Sequence, residues 1–550
     1  MAGILAVTVA VGSAALTNAA WVDNEYVHAS GVGTDGKCEQ DSGTLSSASA
    51  RQLSGTLLGL DLDSLASIGG VQVTNDGEGT STPSPGAIRI DDNTFMAPLD
   101  VDLLRADVLQ LFLPLGLPAG SADLYSQWSR TLNNGNTTAA SGLVTDSGGA
   151  ISLGQPQNPT DPPVMATLDL GALAPAALAG MTLEIGASSS LADLTQCGDL
   201  GNGWLGPLEQ PLLNRAYSVS SLHLNAALPS LGTTRSGTAQ LLDGIQSGLD
   251  AALGDAEVRI SQDLALSAAP LLGTITLGSV DAQVTTTAVD LAPVRALLSS
   301  TMTDNTGLLT VDFGAGKVRV DLARTVDGVN GLNSMEPNTQ VLLNQAMMDQ
   351  LSAALTQVLA DWQENVTAAL VAAIRATTVT VNATVHLRSA GLPLADISLG
   401  LGPTTTGQLL DLYNQVPGIP AVPVTTSITM LGLNPLGLLT PTLNALAAGL
   451  ASALPGTTGE ALSHELINGI VADFESPLAA LTSPVASGLS EALGQLNTQL
   501  SIMVNVQPDK PGHPEPSSSS PFQVSALRLS FPAQSVLDLS LATSSAGHGN

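Results

Sequence analysis

The chain has 550 residues, 44% hydrophobic, 3% aromatic and 11% charged, and its 47 acidic against 16 basic side chains give a net charge of −31. That apolar share can bury a core, so a disordered tail is excluded, and the length predicts two or more units. The acidic excess excludes a nucleic-acid binder or a ligand of anionic membranes, because both need a basic surface.

Residues 4–16, ILAVTVAVGSAAL, form an uncharged run of secretory length that is too short to span a bilayer. Small residues follow, so residues 1–20 read as a signal peptide cut after Ala19 or Ala20, with a secreted or surface-associated product. No Lys or Arg precedes the run, which implies a shortened or misassigned start; a retained N-terminal anchor is the alternative. The junction AAWVDNEYVHASG is similar to the mature N-terminus of TasA and camelysin-like exported fibre proteins. Export makes one disulfide the simplest use of the two cysteines, Cys38 and Cys197, with two unrelated thiols as the alternative. The bridge would close a loop of about 160 residues and stabilise by roughly 4–5 kcal/mol in the chain-entropy model.

Residues 21–231 read as β-rich. LLGLDLDSL, GVQVT, GAIRIDD, GAISLG and ATLDLGAL are short alternating or apolar runs separated by Gly, Pro, Asn and Asp. Residues 155–164 form a Pro-rich loop, and AYSVSSLHLNAAL at 216–228 reads as a strand pair or one long strand.

Residues 232–507 alternate strands with long helices. The first helix, 238–253, places Leu241, Leu242, Ile245, Leu249 and Leu253 on one stripe. Strands follow, with GAGK as a hairpin turn between GLLTVDF and KVRVDL. Residues 338–375 read as the longest helix, capped by Asn338. Strands return in TTVTVNATVHLRSA and VPVTTSITMLG, then helices at 436–454, 459–474 and 477–500, then the strand SIMVNVQ. Residues 508–521 are a Pro/Ser-rich linker or loop, and 522–550 a terminal strand segment. That segment is similar to residues 216–228, which predicts equivalent strands or neighbours in one sheet. The fold class is α+β, with antiparallel sheets packed against long apolar-striped helices.

Chemistry is sparse. HELIN at 464–468 lacks the second histidine of a zinc-protease motif and reads as helix surface. His223 and His386 sit in alternating strands as solvent-facing residues. There is no nucleophile elbow, P-loop or dinucleotide fingerprint. No cofactor is expected; calcium on Asp76, Glu78, Asp91 or Asp92 is the weak alternative to solvated turns. No internal transmembrane span is expected, since the apolar stretch 431–454 is broken by Pro435 and Pro441.

AYSVSSLHL (216–224), VRVDLARTVDGVNGLNSMEPNTQVL (318–342), LSIMVNVQPDKPG (500–512) and the terminal FQVSALRLS and LDLSLATSSAG together resemble the choice-of-anchor G family of exported bacterial surface proteins. The resemblance implies surface display with variable C-terminal anchoring and carries over no catalytic residue. SSAGHGN shows no LPxTG, apolar span or basic tail, implying a missing anchor, release or non-covalent retention. The expected function is structural or adhesive at the cell surface or in the extracellular matrix, without catalysis. Its partners would be other surface or matrix proteins or wall polymers, with self-association. A secreted glycan- or wall-polymer-binding module is the alternative, with Trp128, Trp204 and Trp362 as aromatic candidates, although Trp362 reads as core. A secreted hydrolase is the third reading, and a pocket joining a histidine to two carboxylates would favour it.

Overall fold

Side chains that alternate along extended backbone put one apolar face on each sheet, and leucine stripes at helical spacing supply the surfaces those faces need. The computed structural model describes residues 45–548 except 58–59, 63–69, 78, 80, 99–114, 117–125, 143–165, 175–177, 200–204, 270–274, 328–330, 342–344, 432–438, 515–521 and 532–536. The signal peptide, Ala19, Ala20, Cys38, Glu78, Trp204 and the Pro-rich loop at 155–164 lie outside the described residues. The fold is α+β, with antiparallel sheets and a β-rich N-terminal region.

An eight-stranded sheet runs in the order Thr339–Gln340, Ser501–Val506, Phe522–Ser530, Leu537–His548, Ser46–Leu57, Val71–Asn75 and Thr82–Pro83, with Leu60–Asp61 paired beside Ser46–Leu57. The first and last of these in sequence are direct neighbours, from Ser46 opposite His548 to Leu57 opposite Leu537. A six-stranded sheet, Leu205–Val219, Ser188–Asp199, Thr137–Gly142, Ser126–Thr131, Thr94–Pro98 and Ile88–Arg89, covers it as the second layer of a sandwich. The seam between the layers is made of small residues: Ala48, Ala50, Ala139, Ala192 and Ala546 are buried. Polar groups in the seam satisfy one another. Ser190 Oγ lies 2.7 Å from Ser544 Oγ, and Gln127 Oε1 accepts from the Gln52 amide at 2.9 Å. Gln52 in turn accepts from Ser141 at 3.0 Å and donates to Ser188 at 3.3 Å. Buried hydroxyls and amides left without such partners would each cost about 1–3 kcal/mol.

Residues 216–228 change sheet midway. Leu205–Val219 belongs to the sandwich, whereas Leu222–Ala227 lies between Met181–Ile185 and Lys317–Asp321 in a seven-stranded sheet. Met181–Ile185 likewise continues into Ser188–Asp199, so two strands cross together, joined by Gly186 N to Ser221 O and Ser220 N to Ala187 O, both 2.9 Å. A Cβ at Gly186 would stand 2.2 Å from Ser220 Oγ and 2.8 Å from Ser221 N, so this corner accepts only glycine without a shift. Residues 216–219 and Phe522–Ser530 face each other across the sandwich and are not neighbours within one sheet: Tyr217 and Phe522 pack on the cluster of Ala192, Leu194, Val524 and Ala546.

The GAGK hairpin forms as expected, with Asp312 opposite Lys317. The helices are longer than their sequence pattern suggests. α1 spans Pro229–Ala268, about 60 Å, burying Leu242, Ile245, Leu249 and Leu253 of the expected stripe. α2 spans Gln345–Ala376 and so begins after Asn338, which is not its cap. Asn338 has φ 60° and lies against residues 505–511. The three separate helices expected after residue 436 are one continuous run. It consists of α3 (Thr440–Leu462), a π-helical stretch Ser463–Val471 and α4 (Ala472–Gln499), with Pro455, Pro477 and Pro484 inside. Each proline removes a backbone donor and disfavours a helix by about 3 kcal/mol. Burial of Leu443, Leu450, Leu462, Phe474, Leu478, Leu489 and Leu496 outweighs that penalty.

These helices cover one face of a four-stranded sheet in the order Thr276–Thr286, Thr378–Ser389, Leu392–Thr405, Val424–Met430. Val379, Val381, Val385, Ile397, Leu399 and Leu401 point into that layer. One apolar cluster continues from there through the seven-stranded sheet to Leu527, Leu529, Leu537 and Leu539 of the sandwich, so all parts share a core.

Gly55, at φ +107°, tests the closing strand pair: a Cβ there would lie 2.1 Å from Asp538 O. Gly55→Ala should destabilise the fold by roughly 2–5 kcal/mol, combining left-handed strain with overpacking. Denaturant unfolding measures it, and an unchanged midpoint would refute this account of the closing pair.

Candidate interaction surface

The exposed face of the four-stranded sheet is rich in hydroxyl and amide side chains, with Asp281, His386 and Asp396 its charged or titratable groups toward one end. Alternation brings Gln283 and Thr285, then Thr380, Asn382 and Thr384, then Ser398, then Thr425, Ser427 and Thr429 to the side away from the helices. Register aligns them in rows: Gln283 beside Asn382, then Gly400 and Thr425; Asp281 beside Thr384, then Ser398 and Ser427. Thr425 Oγ1 donates to Gly400 O at 3.1 Å, filling space that a side chain at position 400 would need, since a Cβ there would lie 2.6 Å from that hydroxyl.

At one end of this face His386 bridges two carboxylates, Nδ1 at 2.7 Å from Asp396 and Nε2 at 3.2 Å from Asp281. One histidine and two carboxylates thus meet here. They lie on the outward face of the sheet and do not line the open groove beside α2. His223 occupies a similar row, between Glu184 and Asp321 by register, 3.8 Å from Asp321 Oδ2. It is not the solvent-facing residue its strand pattern suggests: its side chain is only 18% exposed. Burial first, and Arg319 second, hold His223 below the ordinary histidine range, against the pull of Asp321 and Glu184. Arg319 Nη2 is 3.0 Å from Glu184 Oε2, close enough for charge attraction but outside hydrogen-bonding geometry.

An open groove of about 720 Å³ lies between α2 and the short helix Thr406–Tyr413 with the segment after it, lined by Ala368, Val371, Ala372, Gly407 and Pro420. Its charged groups, Arg375 and Asp411, pair with each other at 2.6 Å. No histidine lines it.

The segments that carry the family resemblance meet around Tyr217. Its hydroxyl donates to Leu332 O and accepts from Met335 N, both at 2.8 Å, while Asn333 Oδ1 accepts from Val219 N at 2.9 Å. Asn338 accepts from Gln507 N at 2.8 Å, and its amide faces the carbonyls of Gln507, Lys510 and Pro511 at 2.9–3.1 Å. Arg215, 5% exposed, reaches Gln507 at 2.6 Å and Asp509 at 2.8 Å and lies over the Phe522 ring. Sequence reading missed this clasp. A run of three asparagines and one glutamine in otherwise apolar strands was its only trace.

Cys197 is disulfide-bonded, and it sits at a bulge in Ser188–Asp199 that Asn136 Oδ1 holds by accepting from Gln196 N and Cys197 N. Asp91 and Asp92 close a turn with Arg89. Among the described residues no three His, Cys, Asp or Glu gather as a metal site. His464 lies on the π-helical stretch beside Glu465, which pairs with Arg259 of α1. Trp128 is 3% exposed and Trp362 fully buried, so neither offers a stacking surface. Trp362 stacks on Phe313 and donates to Leu297 O at 3.0 Å. Among the described residues no helix is long and apolar enough to cross a membrane.

Burial raises the Tyr217 hydroxyl to about 12 from an unfolded value of 10.0. The unfolded chain therefore loses this proton first, so stability should fall as pH rises from 10 to 12, by about 2–3 kcal/mol in all. Tyr217→Phe should cost about 1–3 kcal/mol at neutral pH and abolish that alkaline slope. Unfolding of both proteins across this range decides the matter; parallel pH profiles would remove Tyr217 from the account.

No curated protein and no solved structure matches the chain. Residues 48–547, which begin and end inside the two paired strands that close the eight-stranded sheet, match the family described as Domain of unknown function (DUF8394), and the chain belongs to that family.

Proposed function

We propose that the protein is an exported cell-surface or extracellular-matrix protein with a structural or adhesive role, not an enzyme, of the kind the choice-of-anchor G resemblance implies. The hydroxyl and amide side chains on the exposed face of the four-stranded sheet carry this reading. Thr380, Asn382, Thr384, Ser398, Thr425, Ser427 and Thr429 present donors and acceptors on a backbone fixed by helices behind it. Such a plane can exchange hydrogen bonds with hydroxyl-rich wall polymers or with extended protein surfaces. Away from Asp281 and Asp396, its rows carry no charge to add to the repulsion of a net −31. In this reading Cys38 pairs with Cys197, and the leader is removed after Ala19 or Ala20. A dedicated glycan-binding module is the second reading, favoured by the same hydroxyl and amide rows; the burial of Trp128 and Trp362 weighs against the stacking such modules use.

The intact mass of native protein from culture supernatant and from the wall fraction tests export. The expected species starts at Ala20 or Trp21 and is lighter by two hydrogen atoms for the disulfide, and a species retaining Met1 in a membrane fraction would refute it. The face is tested by Thr384→Glu with Thr429→Glu. Retention on isolated wall material should fall at least about tenfold with thermal stability unchanged, and undiminished retention would move the binding role elsewhere.

A further inference from the structure

Among the described residues the long sheet edges are protected, with one exception. An unpaired edge offers a row of backbone donors and acceptors to any extended chain, and folds usually blunt it. Thr339–Gln340, Thr82–Pro83, Ile88–Arg89 and Thr301–Thr303 are edges of two or three residues, too short to recruit a partner. Leu205–Val219 is long but contains Pro207 and Pro211, which cannot donate to an added strand. Thr276–Thr286 is covered by α1, where Ser261 Oγ accepts from Ala282 N at 3.0 Å and Glu257 Oε1 from Val284 N at 2.7 Å. The remaining edge, Val424–Met430, has no proline and no charge; α3 packs beside it, but among the described residues no side chain caps its backbone and Leu392–Thr405 is the one strand that pairs with it.

We infer that Val424–Met430 pairs with the same strand of a second copy of this chain, antiparallel about a two-fold axis at Ser427, forming one eight-stranded sheet across a homodimer. The strand's own sequence supports that occupant. Centred on Ser427, VTTSITM sets Thr425 opposite Thr429 on the hydroxyl face, and Val424 opposite Met430 on the helix-side face. Like meets like at these two pairs, which stabilise antiparallel neighbours, while Thr426 meets Ile428 between them on the helix-side face. A protein of net charge −31 repels its own copies over most of its surface, and this strip carries no charge. Leu431 and Leu392, 50% and 71% exposed, flank the strand's end and add apolar area that association would cover. The two-fold arrangement is closed, because both edges that meet are the same edge and the other side of each sheet is covered by α1. The inference is independent of the wall-polymer reading.

Sedimentation velocity of the full chain over a concentration series is the test. A monomer–dimer equilibrium is expected, and Ser427→Lys, which brings two like charges together at the axis on a solvent-facing site, should raise the dissociation constant at least about tenfold. Ser427→Cys should give a reducible covalent dimer on mild oxidation, while Gln283→Cys on the covered edge strand should not. A monomer at every concentration, assemblies that grow beyond two, a dimer indifferent to Ser427→Lys, or a dimer that Ser427→Cys fails to cross-link would each overturn the inference.

Discussion

The antiparallel pairing of Ser46–Leu57 with Leu537–His548 is the constraint on which the rest of the sandwich depends. These strands lie at opposite ends of the matched sequence, yet they are central neighbours in the eight-stranded sheet, and the second sheet packs directly on them. The seam of alanine, serine and glutamine is satisfied only when both are present, since Gln52 comes from one and Ser544 from the other. Contacts of such sequence separation form late, because the loop entropy must be overcome before they contribute.

The clasp at Tyr217 and Asn338 joins the seven-stranded sheet to the sandwich. It binds the chain leaving the seven-stranded sheet, residues 332–338, to the chain re-entering the sandwich at residues 505–511. Amide side chains suit this task, since a single Asn338 serves one backbone donor and faces three backbone acceptors, and it accommodates a φ of 60° that few residues tolerate. Arg215 is less well provided for: Nε and Nη2 are buried without hydrogen-bond partners, leaving its interactions with Gln507, Asp509 and the Phe522 ring to hold it.

Local pattern was a good guide where local energetics decide. The GAGK turn, the alternation of TVTVNATVHLRS, the leucine stripe of α1 and the burial of Trp362 were all legible in the sequence. Tertiary packing defeated it elsewhere. Pro477 and Pro484 read as breaks, but a buried stripe on both sides carries the helix through them. Asn338 after a proline has the chemistry of a helix cap, and only the distant residues 505–511 explain its other use. The hydroxyl face was visible as Thr/Ser-rich composition, but its planarity and the order of its rows depend on strand partners that a single sequence does not reveal.

The closing strand pair also has a mechanical consequence. Ser46 lies opposite His548, so the segments leaving the two strands at residues 46 and 548 emerge side by side at one end of their ladder. In an antiparallel pair the hydrogen bonds run perpendicular to the strands. Tension drawn between those two points would load them singly, one rung after another, and peel the last strand from the first at low force. Traction applied there would open the sandwich like a zip before it disturbed the core packed around α1, making this pair the protein's mechanical fuse.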